Sequence, residues 1–131
     1  MTRRELREQV FKLLFGLEFH DVSELPAQIA VYAEHEQIWD ETDGAYIREK
    51  CMDVAAHIEE IDSAVNEVSE GWKTTRMGKV ELTLIRLAVY EMRFEEGIPV
   101  RVAINEAVEL AKKYGSEDSP SFINGILGKL V

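Results

Sequence analysis

Apolar residues recur along this chain at intervals of three and four, the spacing of one helix face, and no segment alternates like a strand. Leu6, Val10, Leu13 and Leu17 form the first such stripe. Its successors, and the breaks between them, predict seven helices at about residues 3–18, 25–33, 47–58, 61–68, 79–95, 100–114 and 119–130. The pattern therefore indicates an all-α protein.

Residues at several breaks are those that helix ends favour. The polar run at residues 40–44 predicts a linker that supplies a cap for the third helix. Gly115 stands at the end of the sixth helix, and Ser119 is expected to cap the seventh, with Pro120 in its first turn. Residues 79–95 are apolar on most sides, which predicts a central helix surrounded by others.

Seven helices with short connections predict one compact helical domain over residues 1–131. The connection between Glu70 and Lys79 divides it best, giving helical halves of about 1–72 and 73–131. The expected core positions of the sixth helix are Val102, Ala103, Ala107, Val108 and Ala111.

The composition fits a soluble globular protein, because 46% of the 131 residues are hydrophobic and 31% are charged. No apolar stretch approaches the roughly 20 residues of a membrane helix. The N-terminus is basic without a following apolar run, so we expect no secretory signal and a cytoplasmic location. Cys51 is the only cysteine, which excludes an internal disulfide, and its helical context predicts a buried, inert thiol.

The net charge of −10 opposes non-specific binding to nucleic acid, but the charge is unevenly distributed. Residues 1–15 carry four bases against two acids, and residues 78–131 carry seven against eight. Residues 16–77 carry four bases against fifteen acids. The acidity belongs to the middle of the chain, so the two ends remain compatible with a phosphate-binding face.

Motifs of catalysis are missing from the sequence. It has neither a glycine-rich phosphate loop nor a Gly-x-Ser-x-Gly elbow. His20, His35 and His57 are not spaced as metal ligands on one helix. We therefore expect a protein that is not an enzyme and that has no cofactor and no metal.

The two ends of the chain carry the candidate binding residues. Arg3, Arg4 and Arg7 lie within one and a half helical turns and together would bind phosphates, although on the residues alone a solubilising first turn is the favoured explanation. Phe15 would stack on a base or belong to the core. The turn at residues 115–122 opens a helix, whose free N–H groups would receive a phosphate or be capped in the ordinary way.

Read together, these segments resemble the NusB family. The strongest similarity lies in residues 84–91, in Ile98-Pro99 and in residues 102–112, in that order. It continues with Ser119, Phe122, Asn124, Gly125 and Leu127, and the Arg4–Glu8 segment is similar more weakly.

The resemblance implies an all-α fold of two packed helical bundles. It also implies binding of single-stranded boxA RNA together with the ribosomal protein NusE, in an RNA polymerase antitermination complex that reads through terminators, notably in ribosomal RNA operons. The RNA contacts that the resemblance implies fall on Arg3, Arg4, Arg7, Phe15, Glu81, Asp118 and Phe122. The arginines would neutralise phosphates, the phenylalanines would pack on unpaired bases, and the two acids would accept hydrogen bonds from base amino groups.

Three further expectations accompany this interpretation. The acidic middle would meet the basic NusE, and the starts of the first and last helices would converge on one non-acidic groove. A homodimer that buries the first helix is compatible with the family. The alternatives are a protein–protein scaffold of the same fold without RNA binding, which suits a pI of about 4.8, and the accessory domain of an RNA methyltransferase, which the end of the sequence at Val131 disfavours.

Overall fold

The computed structural model describes residues 1–36 and 39–131, and it places no strand among them. Within these residues lie seven α-helices: α1 (Arg3–Phe15), α2 (Leu25–Glu36), α3 (Glu41–Ala56), α4 (Ile58–Val68), α5 (Lys79–Phe94), α6 (Val100–Tyr114) and α7 (Ser119–Gly128). Short 3₁₀ turns occur at Gly16–Glu18, Val22–Glu24 and Thr74–Arg76. The predicted all-α class is confirmed. None of the described helices is both long enough and apolar enough to cross a membrane.

The start of α3 differs from the prediction. The helix begins at Glu41, inside the polar run that was expected to be a linker. The side chain of Asp40 accepts a hydrogen bond from the backbone N–H of Asp43 at 2.7 Å. The run therefore does supply a cap, but most of it is helical, because polar residues on the outer face of a first turn leave no apolar periodicity to detect.

The helical region that follows is interrupted at His57, so Ile58 opens α4 and does not end α3. This break separates two compact units, Met1–Ala56 and His57–Val131. The boundary lies earlier than the division predicted near residue 72, because α4 packs against α5 of the second unit.

In the first unit, α1, α2 and α3 pack against one another. The side chains of Val10, Leu25, Ile47 and Cys51 are fully buried. The thiol of Cys51 lies 3.9 Å from the carbonyl oxygen of Val10, and burial raises the pKa of this thiol to about 12. The expectation of a buried thiol is confirmed.

In the second unit, α5 packs against α4, α6 and α7, as the central position predicted for it requires. Leu84, Ile85 and Val89 have no exposed surface. The core of α6 differs in part from the prediction, since Val102 is 42% exposed. The buried residues Ala103, Ala107 and Ala111 lie four apart and form a narrow stripe, and Val102 falls on the next face.

An ion pair links α4 to α5 in this unit. Arg86 donates two hydrogen bonds to the carboxylate of Asp62, from Nε at 2.9 Å and from a terminal nitrogen at 2.7 Å. Forked pairs of this kind are stronger than single contacts.

We expect Asp62→Ala to lower the free energy of unfolding by about 2 kcal/mol, because it removes both bonds to a largely buried guanidinium. Urea unfolding measures this change. Glu109→Ala is the matched control, because it breaks the exposed pair between Glu109 and Lys112 and should cost less than about 0.5 kcal/mol. Equal losses in the two variants would contradict the assignment.

Candidate nucleic-acid interface

The starts of α5 and α7 line a cavity of about 260 Å³ in the second unit. Three of the residues expected to contact RNA, Glu81, Asp118 and Phe122, lie in its wall. The remaining lining residues are Trp72, Arg76, Met77, Gly78 and Ser119. The structure thus brings together residues that are separated by up to 50 positions in the sequence.

A hydrogen bond ties the two helix starts to each other. The hydroxyl of Ser119 donates to Oε2 of Glu81 at 2.6 Å and accepts from the backbone N–H of Ser116 at 2.9 Å. Ser119 is the first residue of α7 and not its cap, which corrects the prediction. Its hydroxyl joins α7 to α5, while Asp118, at the cap position, makes no capping bond with its side chain.

Two glycines permit this close approach. A Cβ atom at Gly78 would lie 2.0 Å from Oε1 of Glu81. A Cβ atom at Gly115 would lie 2.5 Å from Oγ of Ser119 and 2.9 Å from the backbone oxygen of Ala111. Any larger residue at position 115 must therefore displace the start of α7.

Two aromatic rings form a corner of the cavity. The ring of Phe122 lies 6.4 Å from that of Trp72, and their planes are at 82°. The indole is 52% exposed, and the guanidinium of Arg76 lies 5.9 Å from its centre. Sequence reasoning missed Trp72 and Arg76 because they lie in a connection without periodicity, and an unpatterned tryptophan was the only signal available.

The polar groups of the cavity divide into two kinds. The carboxylate of Glu81 is engaged by Ser119, so this residue positions the two helix starts. Asp118 is exposed and carries an acceptor-only group at the cavity mouth. Aromatic surfaces, a cation and a carboxylate acceptor suit a flat ligand with amino groups on its edge, such as an unpaired nucleobase.

The arginines that were predicted to contact RNA lie in the first unit, outside this cavity. Arg3 and Arg4 are exposed on the first turn of α1, whereas Arg7 is only 6% exposed. Position 7 lies one turn before the buried residues Val10 and Phe11, so the helix turns it inward. The expectation that the three arginines are presented together is therefore wrong for Arg7.

Phe15 is half-buried and belongs to an aromatic row. Its ring lies 6.0 Å from that of Phe11 and 5.4 Å from that of Phe19. Phe19 is the more open of these rings, at 59% exposure, and the sequence did not single it out. A base approaching this row would meet Phe19 at least as readily as Phe15.

An all-helical fold with a preformed cavity of this kind defines a binding module. The family model described as the NusB family matches residues 4–131. The transcription antitermination protein NusB of Agathobacter rectalis is 52% identical over 129 residues, covering 98% of both chains. That of Lachnoclostridium phytofermentans is 46% identical over 131 residues, covering 100% of this chain and 99% of its relative.

Solved structures that contain NusB are similar to this chain in fold. NusB of T. maritima superposes with a TM-score of 0.86 at 34% identity, covering 99% of this chain and 90% of that one. A crystal structure of the antitermination factors NusB and NusE in complex with dsRNA has a TM-score of 0.81 at 26% identity, covering 96% and 92%. The chain belongs to the NusB family, which is a family of transcription antitermination factors and not of enzymes.

Proposed function

We propose that this chain is a cytoplasmic RNA-binding adaptor of transcription antitermination. It binds boxA RNA together with a NusE-type ribosomal protein and helps RNA polymerase to read through terminators, notably in ribosomal RNA operons. Membership of the NusB family supports the proposal, as does the similarity to a structure that holds NusB, NusE and RNA. The observation that carries it is the cavity that collects Glu81, Asp118 and Phe122.

In this proposal, the candidate RNA-binding residues have different roles. Phe122 packs against an unpaired base, and Asp118 accepts hydrogen bonds from amino groups on that base. Glu81 holds the starts of α5 and α7 in place through Ser119. Arg3 and Arg4 neutralise phosphates, and Phe15 contributes to an aromatic surface on the first unit. An aromatic side chain can pack against a base only where that base is unpaired and unstacked, so we propose single-stranded RNA as the ligand.

A titration with and without NusE tests this function. We expect boxA-containing RNA to bind more tightly than a scrambled single strand, above all with NusE present. Replacing Arg3 and Arg4 by glutamine should flatten the dependence of log K on log salt by about 0.7 for each phosphate that is no longer neutralised. Arg7 is left intact because its burial makes a folding defect the expected result of changing it.

The competing function is a protein–protein scaffold that has kept the fold and no longer binds RNA. The net charge of −10 is the observation in its favour. It predicts that NusE binds while neither RNA does, or that both RNAs bind equally weakly. The same titration therefore separates the two functions.

The NusE surface is proposed to lie on the acidic middle of the chain, where Glu34 and Glu49 are exposed. Replacing both by glutamine should weaken NusE binding by roughly threefold or more at low salt, because complementary charges mainly raise the association rate. The difference should shrink as salt is raised. Surface plasmon resonance at several salt concentrations measures it.

The control is a double variant that carries Glu96→Gln and Glu109→Gln. It changes the net charge by the same amount, but at positions outside the acidic middle. If both double variants weaken NusE binding equally, the cause is the net charge of the protein, and the proposed location of the NusE surface is wrong. Asp62 is not replaced in this series, because it forms the ion pair with Arg86.

A homodimer burying α1 is a further proposal, and light scattering at several concentrations tests it.

A further inference from the structure

Trp72, the single tryptophan of the second unit, lies at the cavity. Trp72 is outside the helices, between α4 and the 3₁₀ turn at Thr74–Arg76, with 52% of its surface open to solvent. A large aromatic side chain that is half in water leaves roughly half of its apolar surface uncovered, and a ligand gains free energy by covering it. An exposed aromatic at the mouth of a preformed cavity is typical of a binding surface.

The backbone that carries Trp72 is held in place by hydrogen bonds. The hydroxyl of Ser69 donates to the backbone oxygen of Trp72. The Asn66 side chain accepts from the backbone N–H of Thr74 at 2.8 Å, and its own amide contacts the Thr74 hydroxyl at 3.3 Å. Lys73 Nζ donates to the backbone oxygen of Asn66 at 2.9 Å. The indole is therefore presented by an ordered segment, which lowers the entropy cost of binding a ligand on it.

Arg76 adds a cation to this surface. Its guanidinium lies 5.9 Å from the centre of the indole and is itself exposed. Such contacts at exposed sites are weak enough to be exchanged for a stronger one. A phosphate oxygen is a stronger partner, because a guanidinium binds it through two parallel hydrogen bonds.

We propose that Trp72 and Arg76 form a second nucleotide subsite next to Phe122. The indole stacks on an unpaired base, and the guanidinium binds a phosphate of the same strand. Because Trp72 is perpendicular to Phe122 at 6.4 Å, the two rings would hold two successive bases that are splayed apart and not stacked on each other. This inference rests on the proposed RNA-binding function and extends it to residues outside the family pattern identified in the sequence.

Fluorine NMR tests the stacking directly. The chain has two tryptophans, so Trp39→Phe leaves Trp72 as the only site for 5-fluorotryptophan, and unlabelled NusE stays invisible. Trp39 packs on Tyr32 in the first unit, and phenylalanine keeps that contact aromatic. We expect the single resonance to shift when boxA-containing RNA is added with NusE. An unmoved resonance under conditions where the RNA is bound would overturn the inference.

Affinity measurements provide the second test. Trp72→Ala should weaken binding of boxA-containing RNA about tenfold or more, and Trp72→Phe should restore much of the affinity, as base–aromatic stacking predicts. Arg76→Gln should lower the salt slope by about 0.7. Arg93→Gln is its control, because Arg93 lies twelve residues beyond Glu81 on α5, about 18 Å along the helix, and should leave the slope unchanged.

The outcomes separate this inference from the proposed function. Wild-type discrimination between boxA and scrambled RNA, with Trp72→Ala binding like the wild type, would refute the subsite and leave the function standing. Failure of the wild type to bind either RNA, with NusE present, would refute both. Weaker RNA binding by Trp72→Ala supports the subsite if this variant unfolds at the same temperature as the wild type. If Trp72→Ala is less stable, the RNA affinity of Trp72→Phe is compared with that of the wild type instead.

Discussion

Gly115→Ala is expected to lower the free energy of unfolding by about 2–3 kcal/mol and to weaken RNA binding in the same step. The new methyl group would meet the Ser119 side chain at 2.5–2.6 Å and the backbone oxygen of Ala111 at 2.9 Å. Neither neighbour is the loose end of a flexible side chain, so the start of α7 must move. That movement would stretch the bond from Ser119 to Glu81 and reshape the cavity. Urea unfolding and RNA titration measure the two effects.

Gly125→Ala is the matched control for this prediction. Gly125 lies inside α7, and a Cβ atom there has no neighbour within 4 Å. Alanine should therefore stabilise the helix by about 0.5–1 kcal/mol, since it restricts the unfolded chain and favours the helical state. If both substitutions destabilise the protein equally, glycine is needed in α7 for another reason, and the steric explanation of Gly115 is wrong.

Cys51 is expected to react with a disulfide reagent about a thousandfold more slowly in the folded protein than in denaturant at pH 8. The attacking species is the thiolate. With its pKa raised to about 12, the folded thiol is ionised to roughly one part in ten thousand at this pH, against about a quarter for an ordinary cysteine. Burial also keeps the reagent away from the sulfur, which slows the reaction in the same direction. Release of the chromophore from Ellman's reagent, with and without urea, measures it.

Similar rates in the two conditions would contradict the packing of α3 against α1. Because Cys51 is the only cysteine, the measurement needs no background substitution. The same reaction reports on the first unit independently of RNA, which makes it a useful check on variants such as Arg3→Gln and Arg4→Gln.

The helices were predictable because each buries one face, and burial leaves a period of three to four residues in the sequence. The errors occurred where this period carries no information. The apolar pattern runs through the break at His57, so Ile58 was assigned to the wrong helix. Val102 was expected in the core because valine is apolar, whereas α6 packs through a neighbouring face that carries Ala103, Ala107, Leu110 and Ala111.

The candidate site was predictable only in part. Glu81, Asp118 and Phe122 came from the family resemblance, and the structure collects them in one cavity. The bond between Ser119 and Glu81 joins residues 38 positions apart, which no local pattern reports. Trp72 and Arg76 lie in a connection, where exposure is set by tertiary structure alone. The expected convergence of the first and last helices on one groove stays a prediction.

The most direct test of RNA recognition by this cavity is a map of boxA-specific contacts. Amide spectra of the ¹⁵N-labelled chain bound to NusE would be compared after addition of boxA-containing RNA and of scrambled RNA. We predict that the largest shifts specific to boxA fall at Glu81, Asp118 and Phe122. Shifts that are the same for both RNAs, or that leave these three residues unmoved, would contradict the claim that this cavity reads the RNA.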